Sequence, residues 1–277
     1  GISLIIFSGI VVALPGAVTN TVSSIQSGAL SVLKVLVLIV FMVFVVAFIV
    51  YMERAQRRIP VQYAKRVVGR KIYGGQNTYL PLRVNTGGVI PVIFASSVVI
   101  IPTTVAGMFQ NQWVQRIADA LAWGEPLHYL LYVAAIVFFC YFYVSIIFNP
   151  ADTAENLRKY GGFIPGIRSG KRTSEYIDRI LTRLTLVGAV YLAAVSVLPE
   201  FLLSGLKVQS LPWIGPGLDN FLPDWVTSGM GIQFYFGGTS LLIVVGVAMD
   251  LVQQVESQLV MRNYEGFMKR GRIRGRR

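Results

Sequence analysis

Long apolar stretches without charge alternate along this chain with shorter segments that are rich in Lys and Arg. The stretch from Val35 to Met52 runs for eighteen residues without a charged residue, Gly or Pro. At about 1.5 Å of rise per residue, a helix of this length nearly crosses a hydrocarbon core of about 30 Å. Five further stretches contain an apolar core long enough to span, so the pattern predicts six transmembrane helices.

The predicted architecture is an all-α fold, a polytopic membrane helix bundle. Its transmembrane helices are expected over residues 1–18, 35–52, 85–109, 127–148, 184–199 and 234–249. The connecting segments are 19–34, 53–84, 110–126, 149–183 and 200–233, and a tail follows over 250–277. The chain begins with Gly rather than Met, and its first apolar stretch is short, so we expect a piece of a longer protein.

The cations are distributed asymmetrically between the connecting segments. Of 25 Lys and Arg residues, 22 lie in Arg54–Arg83, Arg158–Arg183 and Arg262–Arg277. Because loops rich in Lys and Arg face the cytoplasm, we expect these three segments inside and the intervening segments outside. With 54% hydrophobic residues and a net charge of +12, the composition is that of a polytopic membrane protein with basic loops.

Groups that could catalyse a reaction are missing from the predicted spans. No Asp, Glu, Lys or Arg lies in the middle of a span, where charged residues persist mainly for function. Glu53, Asp152 and Asp250 lie at predicted helix ends and are interpreted as solvated boundary charges. The single His128 and the single Cys140 provide neither a catalytic pair nor a metal site. We predict no enzymatic activity, no metal and no cofactor.

One predicted span leaves an alternative open. The stretch that begins near Asn85 and Thr86 is interrupted by Gly87, Gly88 and Pro91. A broken helix of this kind can hold a solute near the middle of the bilayer, as in secondary transporters. We favour a kinked and tightly packed helix, because small residues and Pro are common in membrane helices. A transporter half with a solute site near Asn85 and Thr86 is the alternative.

The two predicted cytoplasmic loops are too long and too basic to be simple turns. The first carries eight cations, and Gly74 and Gly75 predict a turn at which it doubles back. The second has a turn-rich apex that presents Arg168, Lys171 and Arg172. Such surfaces suit anionic lipid headgroups or a macromolecular partner, and charge alone leaves both open. The tail is expected to be an unfolded basic extension.

Several short segments form a recognisable series in order along nearly the whole chain: ERAQRR (53–58), YAKR (63–66), LPLRVN (80–85), GVIP (88–91), FASS (94–97), FNP (148–150), GFIPGIR (162–168) and FYFGGTSLLI (234–243). This series resembles the SecY family, the pore subunits of bacterial protein-translocation channels. The family has ten transmembrane helices in two halves. The resemblance implies that this chain is the fifth helix, an external hinge over 19–34 and the second half, with the plug and first four helices in a missing N-terminal half.

The resemblance also implies site residues. A ring of apolar side chains narrows the family's channel, and the matching positions are Ile2, Ile6, Ile93 and Ile243. The seventh and eighth helices would form one side of a lateral gate. Docking of the SecA ATPase or the ribosome is implied for the loops that carry Arg70, Lys71, Arg168, Lys171 and Arg172.

The function that the resemblance implies is passive conduction of unfolded polypeptides, with lateral release of transmembrane segments. The implied partners are SecE-like and SecG-like small membrane subunits, SecA, the ribosome, signal sequences, unfolded precursor proteins and anionic lipids. The implied location is the bacterial inner membrane. The external segment 200–233 departs from the family by its length, and its three prolines, Pro212, Pro216 and Pro223, predict an ordered excursion.

Overall fold

The structure, a computed structural model, describes residues 2–28, 31–63, 66–68, 71–73, 78–108, 112–122, 124–204 and 238–270. Its helices are α1 (Ile2–Gln26), α2 (Val32–Arg54), α3 (Ile90–Ala106), α4 (Gln112–Ala120), α5 (Pro126–Ile147), α6 (Pro150–Lys159), α7 (Lys171–Ser204) and α8 (Gly238–Arg270). Its strands are β1 (Gln56–Tyr63), β2 (Arg66–Val68), β3 (Lys71–Tyr73), β4 (Thr78–Arg83) and β5 (Gly162–Phe163). The chain is therefore mostly helical, as predicted, with a small sheet added.

Five stretches are long and apolar enough to cross a membrane, namely 7–26, 32–54, 126–159, 171–201 and 239–259. The sixth predicted span corresponds to α3, which is apolar but has only 17 residues. At about 1.5 Å per residue it is about 26 Å long, which falls short of a core of about 30 Å. The fold is that of a multi-pass membrane protein with one shorter apolar helix.

The interior of the bundle forms where α2, α3, α5, α7 and α8 meet. One large side chain from each of these helices is fully buried there: Ile49, Val92, Ile136, Leu192 and Leu242. Lipid tails are as apolar as these side chains, so close packing rather than removal from water stabilises the bundle in a membrane. Helix α1 packs against α8 at the edge of the bundle.

A small antiparallel sheet covers one end of the bundle, which we call the sheet end. Its strand order is β4-β1-β5, with Ile59 of β1 opposite Leu80 of β4 and Gln62 opposite Phe163 of β5. Alternate residues of β1 are buried, because Ile59 and Val61 point toward the bundle while Arg58 and Pro60 are exposed. The sheet thereby joins the two basic loops into one body.

The first basic loop doubles back, as predicted, through an antiparallel pair of short strands. Strands β2 and β3 are an antiparallel pair in which Val68 lies opposite Lys71, so the chain reverses between these two residues. Gly74 and Gly75, the predicted turn, lie outside the described residues. The predicted excursion within 200–233 also falls mostly outside them.

Two helices extend far beyond the predicted spans. Helix α8 continues to Arg270, so the expectation of an unfolded tail from residue 250 is wrong for most of that segment. The apolar positions Leu251, Val255 and Leu259 recur every fourth residue among good helix formers, which sustains the helix. Helix α7 likewise begins at Lys171, because Thr173 and Ile177 are buried at helical spacing within the basic segment.

Two glycines make room for the irregular backbone that joins β4 to α3, residues 84–89, which we call the linker. A Cβ atom at Gly188 of α7 would lie 2.7 Å from the carbonyl oxygen of Val84. A Cβ atom at Gly246 of α8 would lie 2.6 Å from a methyl carbon of Val89. The linker therefore occupies a slot between α7 and α8 that only glycine leaves open.

Replacing Gly188 with Ala should destabilise the folded protein by about 1–3 kcal/mol, because the added methyl group meets backbone that cannot rotate away. Gly246→Ala should cost less, since its nearest neighbour is the end of a side chain. Thermal unfolding of the purified protein in detergent measures both changes.

Gly16→Ala is the matched control, because a Cβ atom at this position of α1 has nothing within 4 Å. Removing a glycine from a helix interior is expected to stabilise it by up to about 1 kcal/mol. Equal melting temperatures for all three variants would contradict the slot.

Candidate functional site

Two of the four predicted ring residues line the same cavity. It has a volume of about 240 Å³ and lies between α3 and α8, toward the sheet end of the bundle. Ile93 reaches it from the first turn of α3 and Ile243 from the second turn of α8. Both side chains are half-buried. The cavity therefore has an apolar wall built from two helices that are distant in sequence.

The other two predicted ring residues cannot be placed to the same degree. Ile2 and Ile6 lie on α1, but their side chains are outside the described part of the structure. Helix α1 packs against α8, the helix that carries Ile243. The four predicted residues are thus carried by three helices, of which two meet at the cavity and the third adjoins one of them.

The mouth of the cavity is polar, and two of its side chains, Asn85 and Arg83, make hydrogen bonds to neighbouring helices. The Asn85 amide donates to Glu53 Oε1 over 2.7 Å, which joins the linker to the end of α2. The Arg83 guanidinium donates to Gln253 Oε1 over 2.8 Å, which joins the end of β4 to α8. Asp250 also lines this mouth and is exposed. These contacts fasten the entry of α3 to two neighbouring helices.

The environment of Glu53 differs from the predicted one. It was predicted to be a solvated boundary charge, yet it is half-buried and holds the buried Asn85. The reason is the return path of the chain, since β1 and β4 pair from Gln56 and Arg83 onward and bring the linker back beside the end of α2. Asp152 and Asp250 are exposed, which agrees with the boundary interpretation for those two residues.

The linker explains the cluster of glycines and prolines before α3. Gly88 has φ +61°, a left-handed conformation that suits glycine, and Pro91 lies in the first turn of α3, where its missing N–H costs nothing. The predicted helix over 85–109 therefore starts five residues later, at Ile90. Asn85 and Thr86 do line the cavity, as the transporter alternative requires. The Asn85 amide, however, donates to Glu53.

The predicted apex of the second basic loop is an exposed cationic corner. Arg168, Lys171 and Arg172 are all exposed, and the Thr173 hydroxyl donates to the Arg168 carbonyl over 3.0 Å. Lys171 and Arg172 occupy the first turn of α7, where the helix dipole disfavours positive charge. Gly170, with φ +108°, sets the sharp entry into the helix. Cations kept exposed at an unfavourable helix end suit contact with an anionic surface.

The structure describes only part of the predicted docking residues of the first loop. Arg70 is outside the described residues, and Lys71 begins β3 with a side chain that is not described. Strand β3 pairs with β2, and we call this antiparallel pair, with the residues between its strands, the finger.

Sequence reasoning also misplaced Glu200. It was assigned as the first residue of the external segment 200–233, whereas the structure places it inside α7 with only 5% of its surface exposed. It lies one turn after the buried Ser196 on the same face of the helix. The spacing of four residues between Ser196 and Glu200 was the sequence feature that could have indicated a helical position for Glu200. Among the described residues, no group of three or more His, Cys, Asp or Glu could hold a metal ion.

Sequence comparison places the chain among known proteins. The family model of SecY matches residues 1–252. The protein translocase subunit SecY of Escherichia coli K12 is 45% identical over 279 residues, which cover 99% of this chain and 58% of that protein. The corresponding subunit of Thermotoga maritima is 43% identical over 277 residues, covering 100% of this chain and 57% of that protein. The chain thus spans under three fifths of these relatives.

Structural comparison agrees on the fold. A solved structure in which the plug domain of SecY stabilises the closed state of the translocation channel has a TM-score of 0.59 at 19% identity, and the match covers 94% of this chain and 60% of that one. A solved structure of a protein-conducting channel has a TM-score of 0.54 at 16% identity, covering 88% of this chain and 54% of that one. At these identities the likeness concerns the fold alone.

Proposed function

Because this chain belongs to the SecY family, we propose that it forms part of the pore of a bacterial protein-translocation channel. In this assignment α1, α2, α3, α5, α7 and α8 are the fifth to tenth transmembrane helices. The channel conducts unfolded polypeptides and releases transmembrane segments sideways between α3 with α5 and the missing N-terminal half. This chain performs no chemistry of its own, and SecA or the translating ribosome drives the movement.

One observation carries the proposal. Ile93 and Ile243 come from helices that are about 150 residues apart in sequence, yet both line one cavity whose mouth is polar. An apolar constriction between polar vestibules resists water and ions at rest, while its side chains can move around a passing chain. Ile2 and Ile6 on α1 would complete the ring from the other side. The cavity is therefore the part of the pore that this chain contributes.

Replacing both Ile93 and Ile243 with Asn should increase the resting ion conductance of the assembled channel. Amide groups at the constriction bind water and lower the barrier that an apolar ring presents to ions. We expect more permissive passage of precursors with weak signal sequences as well. Planar-bilayer recordings of the full-length protein with its small subunits measure the conductance.

The matched control is Ile100→Asn with Ile101→Asn. These are exposed α3 residues on later turns of the helix and do not line the cavity. An unchanged resting conductance in the Ile93 and Ile243 variant, with normal assembly, would count against the ring. The same increase in the control pair would also do so, because the effect would then not be local to the cavity.

The exposed cationic corner supports a docking role. We propose that Arg168, Lys171 and Arg172, together with Arg70 and Lys71 of the finger, contact acidic groups of SecA or phosphates of the ribosome on the cytoplasmic side. The positive-inside rule supports this orientation, since the cations of all three basic segments belong to one side of the membrane. Anionic lipid headgroups are the competing partner for the same charges.

Replacing Arg168 with Glu should reduce SecA-driven translocation about tenfold, because the new anion repels the acidic partner where a cation attracted it. Membrane insertion and folding should not change, since the side chain is exposed. Precursor transport into inverted membrane vesicles measures the effect. Arg179→Glu, the same charge change at an exposed position further along α7, is the control.

The lipid composition of the vesicles distinguishes the two partners. If SecA or the ribosome is the partner, the loss should be equal in vesicles with and without anionic lipids. Normal transport by a correctly inserted Arg168→Glu protein would contradict the docking role. A loss that appears only in the presence of anionic lipids would assign the corner to headgroups instead.

The remaining partners follow from the family assignment. We propose that SecE-like and SecG-like small membrane subunits and the missing N-terminal half complete the assembly in the bacterial inner membrane. The apolar groove of about 510 Å³ between α1 and α2 is one surface that such partners could fill. Signal sequences and unfolded precursor proteins are the proposed substrates.

A further inference from the structure

The linker is partly buried although it has no regular secondary structure. Asn85 is only 7% exposed and Gly87 is buried too, while α3 begins only at Ile90. Irregular backbone in a membrane protein is tolerated where protein surrounds it. The path of the linker decides where α3 starts, and Ile93 follows within one turn. Whatever holds the linker therefore holds one wall of the constriction.

Packing limits the movement of the linker on two sides. Gly188 of α7 leaves space for the Val84 carbonyl, and Gly246 of α8 leaves space for Val89. These contacts prevent the linker from moving toward α7 or α8. Packing of this kind does not resist sliding along the slot, because neither glycine offers a side chain that could bind the linker.

Hydrogen bonds restrain the linker along the slot. The Val84 N–H donates to the Ala55 carbonyl over 3.1 Å at the end of α2, and a side-chain bond holds the next residue of the linker. Asn85 Nδ2 donates to Glu53 Oε1 over 2.7 Å, and Glu53 is the penultimate residue of α2. Bonds to an ionised acceptor are shorter and stronger than bonds between neutral groups. A buried amide that loses its acceptor carries a substantial penalty. The bond thus ties the linker to a helix that itself carries the fully buried Ile49.

We propose that Glu53 is a positioning residue for the constriction. By accepting the Asn85 hydrogen bond it fixes the linker along its slot and so sets the height of α3, which keeps Ile93 at the level of Ile243. The inference rests on the proposed pore function, which it deepens by naming what holds the resting state. Arg83, bonded to Gln253 of α8, supports the same geometry from the exposed side.

The position of α3 relative to α8 can be measured directly. Spin labels at Ser97 and Ala248, both exposed, report the distance between the helices in a cysteine-free, full-length protein assembled with its small subunits. Glu53→Leu removes the acceptor, and we expect a shifted distance distribution with resting conductance raised about tenfold, equivalent to about 1.4 kcal/mol. Glu53→Gln keeps an amide oxygen as acceptor, and both values should stay near those of the parent.

Two further variants keep the test decisive. Glu256→Leu removes an exposed carboxylate from α8 and should change neither value. If Glu53→Leu alone does not assemble, the double variant Glu53→Leu with Asn85→Leu leaves no buried group unpaired and should restore assembly. We expect the shifted distance to persist in the double variant, because the bond is still missing.

The distance and conductance measurements separate the positioning role of Glu53 from the proposed pore function. An unchanged distance in Glu53→Leu, or in the double variant, overturns the positioning role, as does a shift in Glu53→Gln equal to that in Glu53→Leu. A shifted distance with unchanged conductance supports the positioning role and counts against the pore function instead. A leak in the Ile93 and Ile243 variant without any effect of Glu53 leaves the pore function standing and rejects this inference.

Discussion

Backbone polar groups inside a membrane protein must be bonded or enclosed by protein, and this requirement governs the entry to α3 at the sheet end. The linker breaks the helical pattern there, between α7 and α8 and beside the end of α2. Gly188 and Gly246 let α7 and α8 close around it, and Glu53 satisfies the one buried side chain that it carries. The short α3, the cavity and the position of Ile93 all depend on this enclosure.

The sheet end connects the basic loops to the linker. Strand β4 leads directly into the linker, β1 pairs with β4, and β5 pairs with β1, so both basic loops join a single hydrogen-bonded body. Its inner face packs Ile59 and Leu82 against Ile177 of α7. A partner bound to either loop therefore acts on the same rigid unit from which α3 begins.

The existence of the six apolar helices could be predicted from the sequence, because a long apolar run is a local feature of the chain. The uncharged run from Val35 to Met52 could form nothing but a buried or membrane helix, and α2 contains it entirely. The linker was harder to predict, since its glycines are equally consistent with a kink, and Asn85 finds Glu53 only through pairing of strands that lie between them. The need for glycine at position 188 could not be predicted from the local sequence. It arises from the close approach of the Val84 carbonyl, which is 104 residues earlier in the chain. The helix in the tail was not predicted, because the interpretation gave more weight to the Lys and Arg residues of the tail than to the regular spacing of Leu251, Val255 and Leu259.

Helix α7 runs without interruption from the cationic corner to the far side of the bundle. Its 34 residues include Lys171 at the start and Gly188 half-way along, where the helix touches the Val84 carbonyl. At about 1.5 Å per residue, about 25 Å separate these two points along one axis. The cationic corner and the seat of the linker therefore belong to one continuous helix. A shift of α7 along its axis would displace both of them together.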